Sequence, residues 1–351
     1  MTTLEQIQPG ADTNKETVII EVREIVYDPA RKEDFNQNNI PELTPFRAVS
    51  KAGDGDIKVL YILDTFWNKL CQCPSAVANI RSYYSQQNIN IVADLSNLPK
   101  AGDGEDGYWV VYRAWCQMYN ADKWCNVFGN LAALVPVSSE CQKLLLGQRT
   151  LTPELEQNSA VAALLVELGQ QITRIQETSG CAELFIKTSA KSTKHDIPVQ
   201  PITNAREGLE YLLPSPTIQG VLARNEPVEL FIRPWQSDVN NDNEIRVFIQ
   251  DGQIKAVSQQ YLYASSPVLG MIFRYSAADI LDQIQEWWQR PEVQQLGYLD
   301  AVLDMYITPD SRVELIEINC GGTGWGPAGS SLFTWSEINS IPAGKCVFAY
   351  Y

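Results

Sequence analysis

Apolar and polar residues alternate most regularly in the last third of the chain. NEIRVFIQ (243–250) and QIKAVSQQYLY (253–263) are two such runs, joined by Asp251-Gly252. That pair accepts the positive φ angles of a type I′ turn, so a β-hairpin is predicted there. AVLDMYIT and RVELIEIN, joined through Pro309-Asp310, predict a second hairpin. Earlier, TVIIEVREIVY (17–27), IKVLYILDTFW (57–67), AELFIKTS (182–189) and VELFIRPW (228–235) read as strands. VVYRAWCQMY (110–119) reads as a strand or the start of a helix, and KAGDG, at 51–55 and again at 100–104, as a turn each time. Helical spacing takes over from Thr152-Pro153-Glu154, where a capping threonine precedes a proline, and runs through AVAALLVELGQQITRI. NAREGLEYLL (204–213), capped by Asn204, and ADILDQIQEWWQR (278–290) are further helices. Hairpins alternating with helices predict an α+β layered architecture with mostly antiparallel strands.

The second hairpin carries the candidate chemistry. With Pro309-Asp310 at the centre of a two- or four-residue loop, Ile307 pairs with Arg312 and Asp304 falls opposite Leu315. Period-2 alternation then puts Val302, Asp304, Leu315, Glu317 and Asn319 on one face. Leu303, Met305, Ile307, Ile316 and Ile318 take the other face, toward the core. Asp304 and Glu317 become diagonal neighbours, roughly 7–8 Å apart by backbone. A three-residue loop would reverse that parity. Two carboxylates and an amide oxygen are the hard ligands Mg²⁺ prefers, its remaining positions going to water and nucleotide phosphates. Gly321, Gly322 and Gly324 follow at once, where a ligand could approach bare backbone.

Cations are placed to grip such phosphates. Lys187 ends the apolar run 184–186, Lys191 and Lys194 sit in the polar loop after it, Arg233 ends ELFI, and Arg246 shares a hairpin face with Glu244 and Gln259. The single histidine, His195, reads as a loop residue rather than a base.

Composition narrows the classes. At 351 residues and 45% hydrophobic content the chain has material for two or three domains. Its net charge of −15, with no dense basic run, argues against nucleic acid but leaves room for one nucleotide. The N-terminal stretch lacks a positive region followed by an apolar one, and no run approaches the ~20 residues of a membrane helix, so a cytoplasmic protein without membrane association is expected. The eight cysteines are scattered, and the close pair Cys71 and Cys73 has no second pair or histidine to complete a zinc site.

The order of these residues resembles the ATP-grasp superfamily. There a strand-end lysine, a phosphate-covering loop, a linker strand that reads adenine and a late acidic-acidic-Asn set hold MgATP between two lobes. ELFIRPW, NEIRVFIQDGQIKAVSQQ, LDMYIT…RVELIEIN and SSLFTWSEI are similar, block by block, to the cell division cycle protein 123 family, a divergent branch of that superfamily. The resemblance covers roughly residues 182–338. It implies two α+β lobes with antiparallel sheets clasping ATP: a small lobe over 151–235 with the phosphate-covering loop, and a core lobe over 236–351 with the metal site. Residues 1–150 form a separate N-terminal α/β region. Carried over by position, Lys187 contacts the α-phosphate side of ATP, Lys194 comes from the covering loop, and Glu229, Leu230, Phe231 and Ile232 offer main-chain hydrogen bonds to adenine. Arg233 and Arg246 offset phosphate charge, and Asp304, Glu317 and Asn319 hold Mg²⁺. This sequence departs from that family's pattern at Glu317, usually aspartate, and at Cys320-Gly321-Gly322 where proline is usual after the asparagine.

Two functions are implied. One is an ATP-dependent carboxylate–amine ligase, joining a peptide, amino acid or protein acceptor through an acyl phosphate, with Lys187 and Arg246 as its catalytic cations. The other is an ATP-binding assembly factor that engages a protein partner without turnover.

Overall fold

The computed structural model describes residues 3–7, 18–25, 46–50, 57–63, 90–95, 119–194, 196–224, 226–261, 265–321, 332–333 and 335–351. The strands are β1 Thr3–Ile7, β2 Ile19–Glu24, β3 Phe46–Ser50, β4 Ile57–Leu63, β5 Asn90–Leu95, β6 Ala133–Val137 and β7 Leu184–Thr188. They continue with β8 Val228–Pro234, β9 Glu244–Gln250, β10 Gln253–Gln259, β11 Ala301–Ile307, β12 Val313–Cys320 and β13 Lys345–Tyr350. The chain divides into two units, one made of Met1–Tyr119 with Asp238–Tyr351, the other of Asn120–Ser237. The second boundary lies close to the expected 235/236. The first moves from 150/151 to 119/120, because β6 pairs with β8 rather than with anything upstream.

The discontinuous unit holds a seven-stranded sheet, ordered β1-β2-β13-β10-β9-β11-β12. Its neighbours are antiparallel except at β2–β13 and β13–β10. So residues from the expected separate N-terminal region enter the main sheet; β3-β4-β5 form a sheet of their own. KCVFAY, at the C-terminal end, was not foreseen as a strand. One face of the large sheet is covered by the helix Pro267–Trp288, which buries Leu269, Phe273, Ile280, Leu281 and Ile284. Phe273 meets Phe348 edge to face at 5.1 Å. Each side chain so buried contributes roughly 1.5–3 kcal/mol. The other face carries a cluster of Phe248, Ala256, Val302, Phe333, Ile338, Val347 and Ala349. At its edge Glu21 accepts from Arg23 at 2.6 Å and from Lys345 at 2.5 Å. The Arg23 hydrogen bond, aided by Lys345 and opposed by burial, holds the Glu21 carboxyl down at about 2.

Both hairpins form, and the second does so in an unexpected way. Asp251 and Gly252 have φ of 51° and 73°, as a type I′ turn requires. At the other turn the Thr308 N–H donates to Arg312 O at 2.8 Å and the Ser311 N–H to Thr308 O at 2.8 Å. Ser311 takes φ 63°. The loop Pro309–Ser311 therefore has three residues, the length that reverses parity. Ile307 pairs with Val313, Tyr306 with Glu314 and Met305 with Leu315, moving Leu315 to the core face. A bulge then intervenes, with Ile316 as the extra residue, and Asp304 pairs with Glu317, Leu303 with Ile318 and Val302 with Asn319. The two one-residue shifts cancel. Asp304, Glu317 and Asn319 share a face as expected, but Asp304 stands directly opposite Glu317 rather than diagonal to it, and Ile316 leaves the core face.

The continuous unit is an antiparallel sheet, β6-β8-β7, backed by helices. The helix Ser159–Ser179 presents Val161, Leu164, Leu168, Ile172 and Ile175 to the core. Side chains cap its helices: Thr152 Oγ1 accepts from Leu155 N, Asn158 Oδ1 from Ala160 N, Asn204 Oδ1 from Glu207 N, and Ser215 Oγ from Ile218 N.

Candidate functional site

In the seven-stranded sheet, register places Ser258, Arg246, Asp304 and Glu317 in one row across β10, β9, β11 and β12. Directly opposed residues share a face, so this row is set by backbone pairing alone. The Arg246 guanidinium grips the Asp304 carboxylate twice, Nε to Oδ1 at 2.7 Å and Nη2 to Oδ2 at 2.9 Å. Asn319 Nδ2 donates to the same Oδ2 at 3.1 Å. Asp304 is 1% exposed and Arg246 8%, while Glu317 and Asn319 are half-buried. Burial works against the Arg246 charge, but Asp304, by attraction and by hydrogen bonds, together with Glu317 and Glu244, raises its pKa above the usual arginine value. Ser258 is fully buried, its Oγ without a hydrogen-bond partner among the described residues. Gln259, expected beside Arg246, pairs instead with Ile245 and so lies on the opposite face.

These donors fit Mg²⁺ by type, since two carboxylates and an amide are hard oxygen groups. They do not form a ready-made cage: among the described residues no group of three or more His, Cys, Asp and Glu side chains is placed to hold a metal. Asp304 already spends three of its about four acceptor positions on Arg246 and Asn319. A cation here needs oxygens from elsewhere, and phosphate is the group the nearby charge suits. Gly321 has a structural reason of its own: a Cβ there would lie 2.6 Å from the Ala301 backbone nitrogen. Gly322 and Gly324, expected to admit a ligand, lie outside the described residues, as do His195, Cys71, Cys73 and both KAGDG segments.

In the continuous unit, alternation puts Glu229, Phe231 and Arg233 of β8 on one face with Phe185 and Lys187 of β7. Lys187 lies within its strand, not at its end, and only 6% exposed. Its Nζ sits 5.5 Å from the Trp124 ring centre and 6.0 Å from that of Phe231. Arg233, 7% exposed, has its Cζ 5.3 Å from the Phe128 ring centre. Trp124 and Phe231 meet edge on at 5.4 Å. Both cations are thus seated over aromatic faces, which attract positive charge. Trp124 and Phe128 were missed from sequence; two aromatics four apart in ADKWCNVFGN are the only sign they leave.

β8, read from sequence as the strand that offers adenine its main chain, is the central strand of its sheet. Leu230, Phe231 and Ile232 have register partners in both β6 and β7, and Glu229 O accepts from Ser189 N at 2.8 Å. Flanked on both sides, Leu230, Phe231 and Ile232 direct their main-chain groups to the neighbouring strands of the sheet. Burial and the neighbouring Asp122 raise the Glu229 carboxyl pKa. Lys194 is exposed in the loop after β7, as expected, but that loop is pinned. Thr193 Oγ1 bonds the Tyr211 hydroxyl, and Asp196 Oδ2 accepts from Ser215 Oγ at 2.6 Å and Thr217 N at 2.7 Å.

Residues 185–346 match the model of the D123 family. Cell division cycle protein 123 of Candida glabrata is 36% identical over 118 residues, which are 33% of this chain and 30% of that protein. The match therefore spans under a third of that curated relative. Among solved structures, C-terminally truncated Cdc123 from Schizosaccharomyces pombe superposes with a TM-score of 0.50 at 18% identity, over 67% of this chain and 96% of that one. The D-alanine-D-alanine ligase from Coxiella burnetii gives a TM-score of 0.29 at 16% identity, over 63% of this chain and 59% of that one, too loose an overlay to bear on activity. The resemblance read from the sequence holds, and the chain has the α+β fold of Cdc123.

Proposed function

We propose that this protein binds ATP together with Mg²⁺. The observation that carries this reading is the row in which Arg246, Asp304 and Glu317 are aligned by register across three strands, with Asn319 hydrogen-bonded into it. In this reading Glu317 and Asn319, with the remaining capacity of Asp304, hold the metal, and Arg246 offsets phosphate charge. Lys187 and Arg233 bind phosphate from their aromatic seats, and Lys194 adds charge from its loop. The metal, when bound, would neutralise phosphate oxygens and align them. The adenine contact is left to groups other than the β8 main chain.

The nucleotide has two uses to choose between. The match to the D123 family and to Cell division cycle protein 123 favours a nucleotide-dependent module that docks a protein partner without turnover. The ligase reading rests on chemistry: a carboxylate oxygen attacks the γ-phosphorus of ATP, ADP leaves, and an amine then displaces phosphate from the acyl phosphate as it loses a proton. Arg246 would stabilise charge on the acyl phosphate. Calorimetry with ATP, with and without Mg²⁺, tests the binding claim, and absence of Mg²⁺-dependent binding defeats it. ADP release stimulated by pooled amino acids and peptides would select the ligase. Tight binding without release under any acceptor would select the docking module.

A further inference from the structure

Arg246 is a permanent cation set into the row that Mg²⁺ is proposed to join. It is nearly fully buried, holds both oxygens of Asp304, and feels the charge of Glu317 as well. A guanidinium in that position satisfies part of the negative charge that would otherwise draw in a divalent ion. It also repels such an ion through a medium that screens poorly. Asn319 adds to this by turning its amide N–H toward Asp304. A triphosphate changes the balance, because its anionic oxygens compensate both cations at once.

From this geometry we infer that Arg246 makes metal binding conditional on the nucleotide: the row accepts the divalent ion only with phosphate, and rejects the free ion. Arg246 is here a positioning and gating residue. The inference rests on the MgATP reading above and adds an order to it.

Mn²⁺, with its electron paramagnetic resonance signal, is the probe, and a nonhydrolysable ATP analogue the nucleotide. The wild-type protein should bind Mn²⁺ with the analogue and leave it free without. Arg246→Gln should bind Mn²⁺ alone about tenfold or more tightly than wild type, within the usual range for coupled ligands. Arg246→Lys, which keeps the charge but not the two-bond grip on Asp304, should still leave Mn²⁺ free in the absence of the analogue. Adding Glu317→Gln to Arg246→Gln should abolish the gain and so locate the ion at the row. Wild-type protein that binds Mn²⁺ as well without the analogue as with it overturns the inference, as does a folded Arg246→Gln with no gain. If Arg246→Gln does not fold, Arg246→Met, which also removes the charge and keeps the length of the apolar stem, takes its place and is read in the same way. Failure of wild type to bind the analogue under any condition defeats the MgATP reading itself, a result distinct from tight binding of the free ion.

Discussion

The two units bury positive charge by different means. In the seven-stranded sheet Arg246 is matched to a carboxylate at hydrogen-bond distance, and the match is enforced by register between β9 and β11. In the smaller sheet Lys187 and Arg233 lie over the rings of Trp124, Phe231 and Phe128, 5.3–6.0 Å from ring centre to cation. An ion pair is strong and directional, but it consumes the carboxylate it uses. An aromatic seat is weaker and less directional, and it consumes no carboxylate. The first arrangement suits a charge that must stay put. The second suits one that meets a ligand.

Substitutions should separate these cases, and the largest effect is expected at the ion pair. Asp304→Asn strips the buried Arg246 of its counter-charge and should destabilise the protein by about 3–5 kcal/mol in urea unfolding. A loss no larger than that of a surface mutation would show that Arg246 is not held by this pair. Glu317→Gln should leave unfolding nearly unchanged, since the side chain is only half-buried, while Mg²⁺-dependent ATP binding weakens by about 3 kcal/mol by calorimetry. Collapse of the melting transition instead would make Glu317 structural. Lys187→Ala should weaken ATP binding by about 2 kcal/mol, the size of a charge-assisted bond. Unchanged affinity removes Lys187 from the site and the contrast with it.

The smallest effect concerns another buried charge, Glu21. Its carboxyl sits at about 2, below the ordinary 4.5, so the stabilisation it brings is present above pH 4.5 and is lost as pH falls toward 2. The urea midpoint of wild type should decline across that window, and Glu21→Gln should flatten part of the decline. Parallel profiles would mean that Arg23 and Lys345 do not favour the ionised form.

What could be read in advance follows from what alternation encodes. VELIEIN puts Glu317 and Asn319 on one face whatever the turn does, and that placement stands. The partner across the strand depends on loop length and on bulges, neither of which leaves a mark in a period-2 pattern. Here a three-residue loop and an extra Ile316 cancel, so the grouping was right for an incomplete reason. The central place of β8 was not legible because a run such as VELFIRPW looks alike at the edge or the centre of a sheet, and only at an edge is a whole side of its main chain left over. Lys187 seemed a boundary residue because the apolar strand pattern stops there; its burial depends on Trp124, which lies 63 residues away in the chain, and pairwise packing at that separation has no local signature. The early boundary was misplaced for a related reason: ALVPV is short, and its pairing with β8 spans nearly a hundred residues.

The neighbourhood of β2 and β13 bears on how the molecule is made. Ile19 pairs with Lys345, so the first-synthesised half of this contact waits for almost the whole chain before its partner leaves the ribosome. Residues 120–237, whose three strands and supporting helices are contiguous, face no such delay. Folding should therefore be sequential, the smaller unit early and the large sheet last, with its closing step slowed by the long loop that must be gathered first.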